Sequence, residues 1–258
     1  MGDDKGLVTS TTPNRHKAAF VALLVFLSVL RNVGAPADAL FRDGVKAYRA
    51  GTYAQAALEF REAATRQPAS GTLQNLGIAE WQCGRAGEAI LAWEQSRWLE
   101  PFNPAVSANL RFARKVAQLE APELPWYEVV STWLPVNWWA VLAGVSLWLA
   151  VGMTIMPGIF RRPKAPWQQA VASVGLMFFL LSVPAHVGVY TRSHIGFVMQ
   201  KDTPLRLTPT RESQPITHLT AGEPARCERV RGNYLLVRTS RALGWVEQRE
   251  FAFICPGG

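Results

Sequence analysis

The sequence predicts a multi-domain membrane protein built from an all-α solenoid of helical repeats, a two-helix transmembrane hairpin and a small all-β barrel. Three observations predict it. A Gly, Gly, Ala, aromatic, Pro pattern recurs at a spacing of 33 residues between Leu40 and Pro101. Two stretches, 138–160 and 169–190, contain no Asp, Glu, Lys or Arg. The last section, 196–256, breaks into short apolar runs bounded by Pro, Gly and polar residues, the habit of closely spaced strands.

The hydrophobic content of 49% is ordinary for a chain of 258 residues, but it is segregated. Of ten Trp, six (Trp126, Trp133, Trp138, Trp139, Trp148, Trp167) fall within or beside the apolar middle. That is where amphipathic rings seek a membrane–water boundary. The net charge of +8 does not mark a nucleic-acid binder, since residues 37–125 are neutral overall and no segment is a dense basic stripe.

Residues 1–36 read as a signal peptide or signal anchor. Arg15-His16-Lys17 precedes an apolar run from Ala18 to Leu30, and Ala37-Asp38-Ala39 fits a cleavage site. No Cys follows the apolar core, so a lipoprotein anchor is not expected.

Residues 37–120 form the helical section. Laying Leu40–Pro68 over Leu73–Pro101 pairs Gly44 with Gly77, Gly51 with Gly84, Ala56 with Ala89, Phe60 with Trp93 and Pro68 with Pro101. Gly and Ala let antiparallel helices approach, the aromatic fills the gap, Gly51 and Gly84 suit the turns, and Pro stops the second helix. The period is one short of the roughly 34 residues of the tetratricopeptide repeat, which the pattern closely resembles. Glu80 departs from that pattern, standing where the family prefers a bulky aromatic. Pro104 to Leu119 carries Val106, Leu110 and Ala113 at helical spacing and reads as a capping helix, so five helices are expected.

A linker, 121–137, leads to the first apolar stretch, which is long enough to span a bilayer, as is the second. Between them, residues 161–168 hold Arg161-Arg162-Pro163-Lys164. Short basic loops stay cytoplasmic, so both flanking domains are expected on the extracytoplasmic side. Trp133, Trp138, Trp139 and Tyr190 would mark the outer interface. His186 has no charged partner in either stretch and reads as a neutral imidazole near that interface.

In 196–256, Leu205-Arg206, Leu219 with Ala221-Gly222-Glu223, and Gly244-Trp245-Val246 resemble the bacterial SH3-like domain, with Tyr234 in place of the usual Trp. Tyr234 and Trp245 are the candidate ligand face. Cys227 and Cys255 form either one bridge or two separate thiols, and Cys83 is expected as a small buried residue in a turn.

No catalytic constellation is visible: there is no Gly-rich phosphate loop, no His-Glu-x-x-His and no Gly-x-Ser-x-Gly. The three Cys have no Cys-x-x-Cys spacing, so no cofactor or metal is expected. Glu59, Glu62, Glu80, Glu88 and Glu94 read as a solvated face. By the geometry of the repeat family, Phe41, Arg42, Val45, Tyr48, Arg49, Asn75, Ile78, Trp81 and Gln82 line a protein-binding groove, continued by Phe112 and Lys115. The family's carboxylate clamp needs Lys and Asn where this chain has Phe41 and Val45, which disfavours that ligand class.

The module order resembles the BatE-type proteins of bacterial Bat aerotolerance operons. The resemblance implies a place in the inner membrane, with partners that carry von Willebrand factor A domains and a MoxR-type ATPase. Two expectations follow: a non-catalytic scaffold or adaptor gripping a protein through its periplasmic repeats, or a cell-wall sensor binding peptidoglycan or its peptides through the SH3-like domain.

Overall fold

Two helical hairpins open the described chain, and glycine sets how closely their helices pack. The computed structural model describes residues 35–161, 163 and 165–255. The expected export segment and Arg162 and Lys164 of the basic loop lie outside these residues. Helices α1 (Ala35–Arg49) and α2 (Tyr53–Arg66) form the first hairpin, and α3 (Ser70–Gln82) and α4 (Ala86–Leu99) the second. A Cβ placed on Gly44 would sit 2.8 Å from the Phe60 ring, and the Trp93 indole lies over Gly77 in the same way. Gly51 and Gly84 take φ of +76° and +75° in the two turns, a conformation open to glycine. The expected triplet Ala37-Asp38-Ala39 falls in the first turns of α1.

Helix α5 (Pro104–Ala117) follows, making five helices before residue 120 among the described residues. Its start is set by Asn103, whose side-chain oxygen accepts from the Ala105 and Val106 amides at 3.1 and 3.3 Å, with Pro104 in the first turn. Val106, Leu110 and Ala113 pack inward against α4.

The expected linker contains a short helix, α6 (Trp126–Ser131). After it come α7 (Val136–Ile159) and α8 (Pro166–Arg192), among the described residues the two helices long and apolar enough to cross a membrane. The first starts two residues before its uncharged stretch and ends one short of it, and the second extends past its stretch by three residues at the start and two at the end. Their contact is made by small residues: a Cβ on Gly175 would meet Ser146 O at 2.8 Å and Ala150 N at 3.2 Å. Such residues let two helix backbones approach closely. Trp139 does not face outward; it is buried, and its indole N–H donates to Ser131 O at 3.1 Å.

Seven antiparallel strands complete the fold: β1 (Ile195–Val198), β2 (Thr203–Arg206), β3 (Pro215–Leu219), β4 (Pro224–Arg231), β5 (Tyr234–Arg238), β6 (Leu243–Glu247) and β7 (Phe251–Phe253). Their order is β3-β2-β6-β5-β4-β1-β7. The sheet is open rather than a closed barrel, because the edge strands β3 and β7 do not pair. Leu205, Leu235, Val237 and Val246 form its core. A second core continues from the helices into the sheet, joining Ile90, Trp93, Trp98 and Leu110 to Ile195, Phe197 and Ile254. The protein is therefore a mixed helix-and-sheet chain in which sheet and helices share one interior.

Candidate functional site

The expected groove residues divide by depth. Arg42, Arg49 and Gln82 are exposed, whereas Phe41, Val45, Tyr48, Asn75, Ile78 and Trp81 are half-buried. Phe41 packs on Phe60 with ring centres 5.6 Å apart, and Tyr48 packs on Tyr53 at 5.2 Å. Trp81 is tilted against Trp93 at 6.0 Å and takes the edge of Phe112 at 5.7 Å. Tyr48 and Trp81 thus belong to different clusters, the first confined to the hairpins and the second running into the sheet. Both rings are partly committed to packing. Phe112 and Val116 remain exposed on α5, so the open apolar surface lies beside Trp81.

On the sheet, register decides the face. Trp245 pairs with Leu236 of β5 and with Arg206 of β2, while Tyr234 pairs with Arg231 and Glu247. Side chains two apart along a strand share a side, so Tyr234, Leu236 and Trp245 stand together on the face opposite the core. Arg206 and Arg231 flank them, and Arg206 Nη1 donates to the carbonyls of Arg211 and Ser213 at 2.9 and 2.8 Å.

The bridge considered for Cys227 and Cys255 is not formed; both are free thiols. The Cys227 amide donates to His194 O at 2.8 Å on one side of the strand, and Ile254 N donates to Ile195 O at 3.0 Å on the other. Two strand spacings of about 4.8 Å each separate the cysteines, beyond the roughly 4.4–6.8 Å Cα reach of a disulfide. Burial pushes the Cys227 thiol up from its ordinary range, which keeps it protonated and unreactive. Cys83 is half-exposed rather than buried.

The acidic residues correct the sequence reading most. Glu80 and Glu94 are fully buried, not solvated. Glu80 is held by Arg61 and Arg85, and Glu94 by Arg114 and, at 2.7 Å, by Arg97. The bond to Glu80 raises the pKa of the Arg85 guanidinium, while burial lowers that of Arg114. A third buried carboxylate, Glu128 of α6, receives both terminal nitrogens of Arg226 from β4 at 2.8 Å. This fork-to-fork pairing gives geometric specificity as well as energy. The hydrogen bond to Glu128 raises the Arg226 pKa, so the guanidinium stays charged.

Around that pair the three parts of the chain meet. Arg226 also donates to Thr191 O at 3.0 Å, in the last turn of α8. Arg192 donates to Ser131 Oγ at 3.0 Å, and its guanidinium lies 4.8 Å from the centre of the Trp98 ring of α4. Gln95 of α4 donates to Phe253 O at 3.2 Å. Helical hairpins, long apolar helices and sheet are therefore cross-braced at one joint. The sequence offered a faint sign of it, because Glu128 is a lone acid in an aromatic and apolar run.

Comparison of the chain with known protein families, characterised proteins and solved structures finds no match in any of the three.

Proposed function

We propose that the protein is a non-catalytic scaffold or adaptor of the bacterial inner membrane, gripping a protein partner through periplasmic tetratricopeptide-like repeats. The observation that carries this reading is the joint: it holds an apolar surface beside Trp81 and Phe112 in a fixed pose above two helices of membrane-spanning length. A scaffold needs that fixity, whereas a tether would need only a loose linker. The basic loop at 161–168 supports a cytoplasmic turn with both flanking modules outside. The resemblance to BatE-type proteins supports von Willebrand factor A proteins and a MoxR-type ATPase as the system served.

Photo-crosslinking from position 112 in native membranes tests the proposal. A discrete adduct that disappears when Trp81→Ala is introduced supports it. Absence of any adduct from 112, with adducts from position 245 instead, favours the second reading. That reading, a cell-wall sensor, draws on the shared outer face of Tyr234, Leu236 and Trp245, which suits a peptide or glycan of the wall. Binding of the protein to sacculi, lost in Trp245→Ala, would establish it.

A further inference from the structure

Helix α6 is amphipathic the wrong way round for a water-facing helix. Its inward residues are polar, Glu128 at 0% and Ser131 at 1% exposure, while Trp126 and Val129 on its other side, and Trp133 two residues past its end, are 67%, 41% and 60% exposed. Positions 126 and 129 lie on one helical side and 128 and 131 on another, and a turn follows in which the Thr132 and Trp133 amides donate to Val129 O and Val130 O, each at 3.0 Å. In water this would be an unfavourable arrangement, because two indoles and a valine face solvent while a carboxylate is withdrawn from it.

We infer that α6 lies in the lipid headgroup layer, with Trp126, Val129 and the Trp133 that follows it inserted into the same bilayer that the spans cross. This rests on the proposed membrane-spanning role of α7 and α8. Exposed aromatics stand next in the chain to the residues that hold α6: Trp138 precedes the Trp139 that bonds to Ser131, and Tyr190 lies between Gly188 and Arg192, which both meet Ser131. The depth of α6 is fixed as well. A Cβ on Gly188 would meet Ser131 Cβ at 2.9 Å, and Trp139 and Arg192 both bond to Ser131. The 27 residues of α8 rise about 40 Å, against a hydrocarbon core of about 30 Å, so its last turn, and α6 with it, falls in the headgroup zone. There an indole can bury its ring and keep its N–H hydrated. Arg226 is taken up by Glu128, so the contact is apolar and aromatic and needs no anionic lipid.

The test uses the full chain in phosphatidylcholine vesicles, with the native cysteines replaced by Ser and one fluorophore attached at Val129→Cys or, as a companion, at Val145→Cys in α7. Nitroxide lipids quench either at the headgroup or deep in the acyl chains. The expected result is loss of fluorescence at 129 with the headgroup quencher and at 145 with the deep one. Should 145 respond and 129 stay bright with both lipids, the inference on α6 fails while the spans stand. Should neither respond, the membrane-spanning reading fails with it. Trp133→Cys repeats the measurement, so that a local disturbance at 129 cannot decide the outcome. Shielding of 129 in cell-derived membranes but not in pure lipid would replace the lipid by a protein occupant and overturn the inference.

Discussion

The two ends of the helical module are built to the same plan and finished differently. At the α1–α3 end, Ala56, Ala57, Phe60, Leu73 and Leu76 make a core composed of helices alone. At the α4–α5 end, the equivalent aromatic Trp93 belongs to a core that runs on into β1 and the close of the sheet. Buried charge follows the same division: Glu80 is clasped by arginines of the hairpins, whereas Glu128 is clasped across 98 residues by the sheet. One end repeats, and the other is fastened. The difference teaches that the fastening, not the repeat, gives the module its place relative to the long apolar helices.

Breaking the fastening should have the largest effect. Arg226→Ala strands a buried carboxylate, and loss of one partner of such a pair costs about 3 kcal/mol or more. Thermal unfolding of the full chain in a bilayer should show it, and Glu128→Gln combined with Arg226→Ala should recover part of the loss. An unchanged melt for the single variant would mean that the joint is ornamental.

The aromatic surface comes next. Replacing Trp81 and Phe112 by Ala should weaken partner recovery by about 2 kcal/mol or more per residue if they sit at an interface centre. Tyr48→Ala, at the other end and in another cluster, should weaken it less. Equal losses from Tyr48 and Trp81 would instead restore the single continuous groove expected from the repeat pattern. The melt must be followed in parallel, because Trp81 also packs on Trp93.

The repeat itself can be tested by crowding its glycines. Gly77→Ala pushes a methyl into the Trp93 ring and should cost about 2 kcal/mol, with Gly44→Ala against Phe60 behaving alike. Chemical denaturation of both variants checks the equivalence of the two hairpins. The smallest effect belongs to Arg238→Ala, whose partner Glu228 is at the surface at 2.5 Å. It should change the melt by about 1 kcal/mol at most.

This comparison also marks what the sequence discloses. The Gly44–Phe60 and Gly77–Trp93 contacts were legible because they repeat at one spacing and each is short in range. The long apolar helices were legible because their code is the absence of charge. Five of the strands overlap short apolar runs that the sequence displays, but β3 is an exposed edge beginning with Pro215, and β7 spans three residues, so neither shows an alternating run. The joint was not legible. Glu94 looks like any surface acid until Arg114 closes over it, and nothing near Glu128 in the chain names Arg226 as its partner. Helix α6 hid for a related reason: its six residues are too few to show a period, and its outward aromatics look like linker.

The central claim is that the helical module and the sheet form one body braced by Glu128 and Arg226. Its most direct test is the distance between spin labels at Ala54→Cys on α2 and Arg229→Cys on β4, read by pulsed electron resonance in bilayer-embedded protein with native cysteines replaced. The account requires a single narrow distance distribution that broadens when Arg226→Ala is added; a broad distribution in the otherwise unaltered chain would contradict it.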